Sequence, residues 1–438
     1  MKDAAAQLTP YFRSVTDRSS TRWTGHVVKV IGHLVESEGP SSSLGECCEI
    51  LSSSGVAFEG EIVGFRGSTV LSMPLSPPDS VRYGDSIVSW GEKPSIRVGS
   101  GLLGRVIDAT GKAIDSGPEY SARERWPLRR TGPLPLDRQP ITQPLGCGIR
   151  AIDGFLTCGR GQRLGIFGGS GVGKSTLVGM MARGSAADLT VLALVGERGR
   201  EVRDFLENAI GEEGRRKSVV IVSTSEQSPL LRIRAAFAAT SIAEYFCAQG
   251  KNVLLVVDSL TRLAMAQREV GLSAGEPPTS KGYTPSVFTL LAQLIERAGS
   301  FNGGSITAFY SVLMEGDDHQ DPIVDAVRSL LDGHIFLDRR LSAENHYPPI
   351  SILDSLSRLM PSVCSKDHMS KVKRLRALLS SYSASEDLVR VGAYQKGLDP
   401  LLDKAIASLP AIKAFLAQRP DEKVDLNANV ASLLALPE

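Results

Sequence analysis

The stretch Gly168-Gly-Ser-Gly-Val-Gly-Lys-Ser175 follows an apolar run, RLGIFG (163–168), and precedes a helix-like stretch, TLVGMMARG. It fits the pattern G-x-x-x-x-G-K-[ST] in the strand-then-helix setting that makes the pattern a phosphate-binding loop. Glycines let backbone N–H groups close around phosphate oxygens, and the positive end of the following helix faces the same point. The residues expected to hold a nucleotide are Gly169, Ser170, Gly171, Val172, Gly173, Lys174, Ser175 and Thr176. Lys174 should reach the β and γ phosphates, and the Ser175 hydroxyl should ligate Mg²⁺.

The sequence around this loop alternates between strand and helix patterns. Candidate strands are RLGIFG (163–168), TVLALV (190–195), SVVIV (218–222), NVLLVV (252–257), SITAFYSV (305–312) and GHIFL (333–337). The plainest helix between them runs from Pro229 to Gln249, with Ser228 as N-cap, Pro229 at the first position and Gly250 just past the end. Such alternation implies an α/β core, a mainly parallel sheet covered on both faces.

The flanks read differently. Residues 23–96 hold short apolar runs separated by Gly, Ser and Pro (HVVKVIGHLV, GEIVGF, STVLSMPL, DSIVSW), the mark of a small β-barrel or sandwich. Residues 97–365 carry the α/β pattern, and residues 366–438 lose the strand signal to Leu/Ala-rich helical patterns such as KVKRLRALLSSYS. Residues 1–22 form a slightly basic arm. A length of 438 residues accommodates these three domains.

Lys plus Arg number 49 against 48 for Asp plus Glu, a net charge of +1, so no overall field favours nucleic acid or an anionic membrane. The six cysteines are scattered without C-x-x-C or zinc-type spacing, as expected of reduced thiols in a cytosolic protein. MKDAAAQLTP lacks the apolar core of a signal peptide and no run of 18 apolar residues occurs, so neither general secretion nor a membrane span is expected.

Hydrolysis at a phosphate loop needs two further groups. Asp258 ends the apolar strand NVLLVVD, where its carboxylate would meet the loop at the sheet's carboxyl edge and give Mg²⁺ a second anchor. Glu197 follows TVLALV and should orient the attacking water, with Arg198 and Glu201 holding it by ion pairing.

Six strings resemble one family: LGRVIDATGKAID (103–115), GGSGVGKST, GERGREVRDF (196–205), LLRIRAAFAATSIAEYF (230–246), DSLTRLAMAQREVGLSAGEPP (258–278) and EGDDHQDPIVDAVRSLLDGHI (315–335). Together they are similar to the type III export ATPases, the FliI-type flagellar and YscN-type injectisome enzymes, which are relatives of the catalytic β-subunit of rotary ATP synthase. The resemblance implies an N-terminal β-barrel, a RecA-like nucleotide domain and a C-terminal helical domain in a homohexameric ring. It matches Lys174, Ser175, Asp258 and Glu197 to catalytic positions. Non-catalytic α-subunits of the synthase carry Gln where this chain has Glu197, so the resemblance implies an ATP-hydrolysing subunit.

Within HYPPISILDSLSRLM (346–360), the resemblance matches Tyr347 to the aromatic that stacks on adenine and Arg358 to an arginine finger that enters the neighbouring subunit's site. Tyr394 is a candidate second wall of the base pocket, and Gln267 to Tyr283 resembles the loop facing the central channel. The implied cofactors are ATP and Mg²⁺. The implied partners are a stator-like regulatory subunit, a central stalk protein, export chaperones with their cargo, and membrane proteins of the export gate, with no nucleic acid. The implied location is the cytoplasm, peripherally at the inner membrane. EGDDHQDP departs from the commoner EGDDMNEP without distinguishing the branches, whereas the texture of AMAQREVGLSAGEPP favours the flagellar one. An injectisome ATPase, a synthase β-like subunit and a Rho-type translocase are the alternatives.

Overall fold

A computed structural model describes residues 22–438. The expected N-terminal arm therefore lies outside the described residues, except for Arg22. The first six strands are β1 (Trp23–Ile31), β2 (Leu34–Glu38), β3 (Cys47–Leu51), β4 (Ala57–Arg66), β5 (Thr69–Pro74) and β6 (Ser86–Ser89). They close into a barrel in the order β1-β2-β5-β4-β3-β6, which leaves no unpaired edge. Alternate residues turn inward, and Val27, Val35, Ile50, Ile62 and Ile87 fill the interior.

The middle of the chain builds a nine-stranded sheet. Its main path uses β7 (Val106–Asp108), β8 (Arg163–Gly168), β9 (Leu189–Glu197), β10 (Ser218–Thr224), β11 (Asn252–Asp258), β12 (Gly304–Leu313), β13 (Gly333–Leu337) and β14 (Ile350–Ser357). The order across the sheet is β14-β13-β8-β12-β11-β9-β10-β7, with the short strand Gly299–Phe301 hanging on β12. All neighbours along the path run parallel except β14, which is antiparallel to β13. The strands are buried on both faces, as their unbroken Val, Ile and Leu runs require.

Helices α1 (Lys174–Gly184), α2 (Pro229–Ala248) and α3 (Leu260–Ala274) follow strands β8, β10 and β11. The boundaries of α2 follow the sequence closely: the Ser228 hydroxyl accepts from the Leu231 amide, Pro229 opens the helix, and Gly250 lies beyond it with φ of 82°. Helices α4 (Lys366–Arg390), α5 (Pro400–Leu416) and α6 (Leu426–Leu434) make the C-terminal unit. No helix among the described residues is long and apolar enough to cross a membrane.

Polar contacts tie the flanking units to the core, among them one at each end. Arg234 of α2 pairs with Glu61 of β4, with side chains 12% and 3% exposed, so the barrel is pinned to the sheet by a buried ion pair. At the other end, the Asn429 amide of α6 donates to Asp153 Oδ2 at 2.7 Å, in the short helix Arg150–Phe155.

The sequence patterns do not single out strands β3, β7 and β14, and for the last two the reason is physical. β7 has only three residues, and β14 reads ISILDSLS, with too many polar positions for a buried run. The expected loop from Gln267 to Tyr283 is shorter than it reads. α3 continues to Ala274, and Gly275, in the left-handed region with φ of 94°, then ends it.

A candidate nucleotide site at the carboxyl edge of the sheet

The loop after β8 turns into α1 through Gly173, whose φ of 106° is left-handed and disfavours any side chain. A Cβ there would also lie 3.3 Å from Cε1 of Tyr347, so this aromatic ring packs directly on the phosphate loop. Val172 points the other way, into the core, and can serve a ligand only through its backbone. The Lys174 ammonium donates to the Gly168 carbonyl at 3.3 Å. Burial lowers its pKa, opposed by the charges of Asp258 and Glu197.

Asp258 closes β11 and is only 6% exposed. Its Oδ1 accepts from the Ser311 hydroxyl on the adjacent β12. The next residue, Ser259, caps α3 by accepting from the Arg262 amide at 3.4 Å. That cap places Arg262 on the first turn of the helix, over the end of β9.

Glu197 closes β9, where the pairing with β10 shifts register between Val195 and Glu197. Gly196 makes this approach possible: its φ is 69°, and a Cβ there would meet the Arg262 side chain at 3.0 Å. Arg262 Nε lies 3.2 Å from Glu197 Oε1. Burial, and after it the charge of Asp258, raise the Glu197 pKa to about 7 against the opposing pull of Arg262; a hydrogen bond with Glu201 adds to the rise.

Lys174, Glu197, Asp258 and Arg262 line one open cavity of about 500 Å³, together with Ser170, Gly171, Gly173, Ser175, Thr176 and Arg198, whereas Tyr347 packs against Gly173 and is not among the lining residues. The oxygen donors of Ser175 and Asp258 suit a hard divalent cation such as Mg²⁺, and the cations Lys174, Arg198 and Arg262 suit phosphate oxygens. The phosphate loop, Asp258 and Glu197 thus converge as expected.

The expected role of Arg198 needs correction. Its side chain is 75% exposed and pairs with Glu201 at 3.5 Å, while the cation on Glu197 is Arg262. Helix arithmetic would have found Arg262, since it stands three residues after a Ser that follows a strand.

The string 346–360 divides between the two edges of the sheet. Tyr347 stands just before β14, its hydroxyl 3.0 Å from Ser342 Oγ and its carbonyl accepting from the Gln418 amide at 2.7 Å. β14 then runs antiparallel, so Ile350 faces Leu337 and Ser357 faces Gly333. Arg358 is consequently at the amino-terminal edge, exposed, with its amide on the Asp332 carbonyl at 3.0 Å. Eight residues of strand, roughly 25 Å, separate it from the phosphate-loop edge of its own subunit.

Tyr394 does not line the cavity. It lies in the turn between α4 and α5, its hydroxyl 2.9 Å from Asp403 Oδ1. The segment crossing near Tyr347 is instead 418–420, and Pro420 lines the cavity.

The nucleotide-binding domain of the ATP synthase alpha/beta family matches residues 148–357, and the T3SS EscN ATPase C-terminal domain matches residues 364–435. The chain is 48% identical over 414 residues to the "Flagellum-specific ATP synthase" of Bacillus subtilis (strain 168), covering 94% of each chain. Among solved structures it is similar to the assembled ATPase EscN of the enteropathogenic E. coli type III secretion system. The TM-score is 0.87 and the identity 43%, over 93% of this chain and 98% of the other. It is also similar to EscN in complex with its central stalk EscO, with a TM-score of 0.86 and 42% identity, at the same coverage.

Proposed function

The chain belongs to the type III export ATPases of the ATP synthase alpha/beta family, and from that premise we propose how its residues hydrolyse ATP and what the hydrolysis drives. The carrying observation is that Glu197 overhangs the cavity of the phosphate loop, 3.2 Å from Arg262, with Asp258 on the same rim.

In this reading the loop amides and Lys174 bind the β and γ phosphates, and Tyr347 stacks on adenine. Mg²⁺, held by the Ser175 hydroxyl and Asp258, would neutralise charge on those phosphates. Glu197, as a carboxylate, orients a water for in-line attack on the γ-phosphoryl group and takes up its proton. Arg198, exposed on the cavity rim, adds charge for the phosphate oxygens rather than support for Glu197. Arg358 lies at the far sheet edge, so it acts on the site of a neighbouring copy, where a guanidinium stabilises the transition state.

The assembly in this reading is a homohexamer with a central stalk, supported by the likeness to EscN solved as an assembly and with EscO. A stator-like regulator, chaperones with cargo and the membrane proteins of an export gate complete the set of partners. The work done is release of chaperones and loading of substrates, by an enzyme held in the cytoplasm at the inner membrane. Flagellar export is the favoured branch on the Bacillus relative, with injectisome secretion second on the EscN likeness. The C-terminal match at 364–435 favours export over a rotary synthase subunit.

Purification of the tagged chain from its native cell, with mass spectrometry of co-purifying proteins, tests this reading. Flagellar stator, stalk and gate components are the expected result. Injectisome components would change the branch, and α-type with proton-channel subunits would overturn export.

A further inference from the structure

We propose that Gln418 is a positioning residue for recognition of the nucleotide base, which it serves by holding Tyr347. This rests on the reading of Tyr347 as the adenine-stacking ring. Gln418 follows α5 by two residues and is 3% exposed, yet its backbone N–H and both polar atoms of its side chain have partners. Its amide N–H donates to the Tyr347 carbonyl at 2.7 Å. Its side-chain Oε1 accepts from the Arg150 amide at 2.9 Å, and Nε2 donates to the carbonyls of Gly148 at 2.9 Å and Glu422 at 3.0 Å.

These bonds join three parts of the fold that are distant in sequence, alongside the bond of Arg150 to the Ala417 carbonyl and its ion pair with Glu422. Gly148, with φ of 71°, lies against the end of the phosphate-loop helix: a Cβ there would sit 2.8 Å from the Gly184 carbonyl oxygen. Two residues beyond Gln418, the Pro420 carbonyl accepts from Arg183 of that same helix at 2.6 Å. The segment 418–420 is thus held between α1 and Tyr347, whose ring packs on Gly173, and its Pro420 lines the cavity. A buried amide with all its protons used defines one orientation, and an apolar side chain of equal size would leave two carbonyls and an amide unpaired. Gln418 therefore fixes the Tyr347 backbone relative to the phosphate loop, which sets where a base can stack while the phosphates are bound.

Gln418→Glu tests this, because it preserves size but loses both donor protons. Kinetics with ATP are compared with inhibition by inorganic tripolyphosphate, which occupies the phosphate loop without a base. The expected result is a KM for ATP raised about tenfold, kcat within about twofold and an unchanged tripolyphosphate inhibition constant. An unchanged KM, or equal weakening of ATP and tripolyphosphate, overturns the proposal. Tyr347→Ala serves as the reference. If it abolishes the advantage of ATP over tripolyphosphate and Gln418→Glu does not, only the role of Gln418 fails; if it leaves that advantage intact, the base-stacking reading itself fails. Should Gln418→Glu not fold, hydrogen exchange in the unaltered protein decides. Exchange at the amides of Gln418 and Arg150 should slow with ATP and not with tripolyphosphate, and equal slowing overturns the proposal.

Discussion

The guanidinium of Arg262 lies 3.2 Å from the carboxylate of Glu197, yet that carboxyl still has its pKa raised to about 7. Burial and the nearby charge of Asp258 outweigh the ion pair. The carboxyl proposed to activate water thus has its pKa near neutrality, where a general base combines availability with proton affinity.

Arg262 lowers the Glu197 pKa, so removing it should raise that value further. Arg262→Met should move the acidic limb of the kcat/KM profile to higher pH and reduce the rate about tenfold or more at pH 7. A profile with an unmoved acidic limb would assign that limb to another group.

Glu197→Gln should bind ATP with Mg²⁺ and lose roughly 10² to 10⁴ in turnover, measured by single-turnover hydrolysis. It also carries a stability signature. A carboxyl raised from 4.5 to about 7 contributes stability below pH 4.5 that is lost as pH rises through 7. The variant should therefore melt at higher temperature than the natural chain at pH 8, with the difference shrinking toward pH 4.5.

Arg358→Ala should keep nucleotide affinity and lose about 10³ to 10⁵ in rate. Because Arg358 and the phosphate loop lie at opposite sheet edges, mixing this variant with Lys174→Ala should restore activity at interfaces that pair an intact loop with an intact arginine. No recovery on mixing would place the arginine's action within its own subunit.

Arg234→Met leaves the Glu61 carboxylate, 3% exposed, without its closest cation. Arg129 at 3.9 Å is a weak substitute. Denaturant unfolding should show a loss of about 3 kcal/mol. A neutral result would mean that the barrel is held to the sheet by its apolar contacts alone.

The sequence carries the site because its groups lie where strands end. Asp258 and Glu197 each close a run of apolar residues, and such runs are recognisable without knowing their neighbours. The partners of these groups come from pairing across the sheet and from helix phase. Ser311 reaches Asp258 from within a buried strand, and Arg262 reaches Glu197 from α3, the helix that follows β11. The Ser311 contact has no local signature, that of Arg262 is legible only from its phase after the cap Ser259, and the exposed Arg198 beside Glu197 in sequence is the misleading neighbour. The edge strand β14 was obscured for a related reason: strands covered on one side only need not be apolar throughout, and its burial alternates. Tyr394 was an aromatic in a glycine-rich turn with nothing in sequence to show that its hydroxyl faces Asp403.

Strand β14 begins beside its own subunit's phosphate loop and runs to the opposite edge of the sheet, where the exposed Arg358 follows it. A contact made through that far end joins unlike surfaces, so copies joined by it follow head to tail and share one sense of rotation. Such a ring is a directed cycle: each subunit receives from one side and gives to the other, and the roles cannot be exchanged.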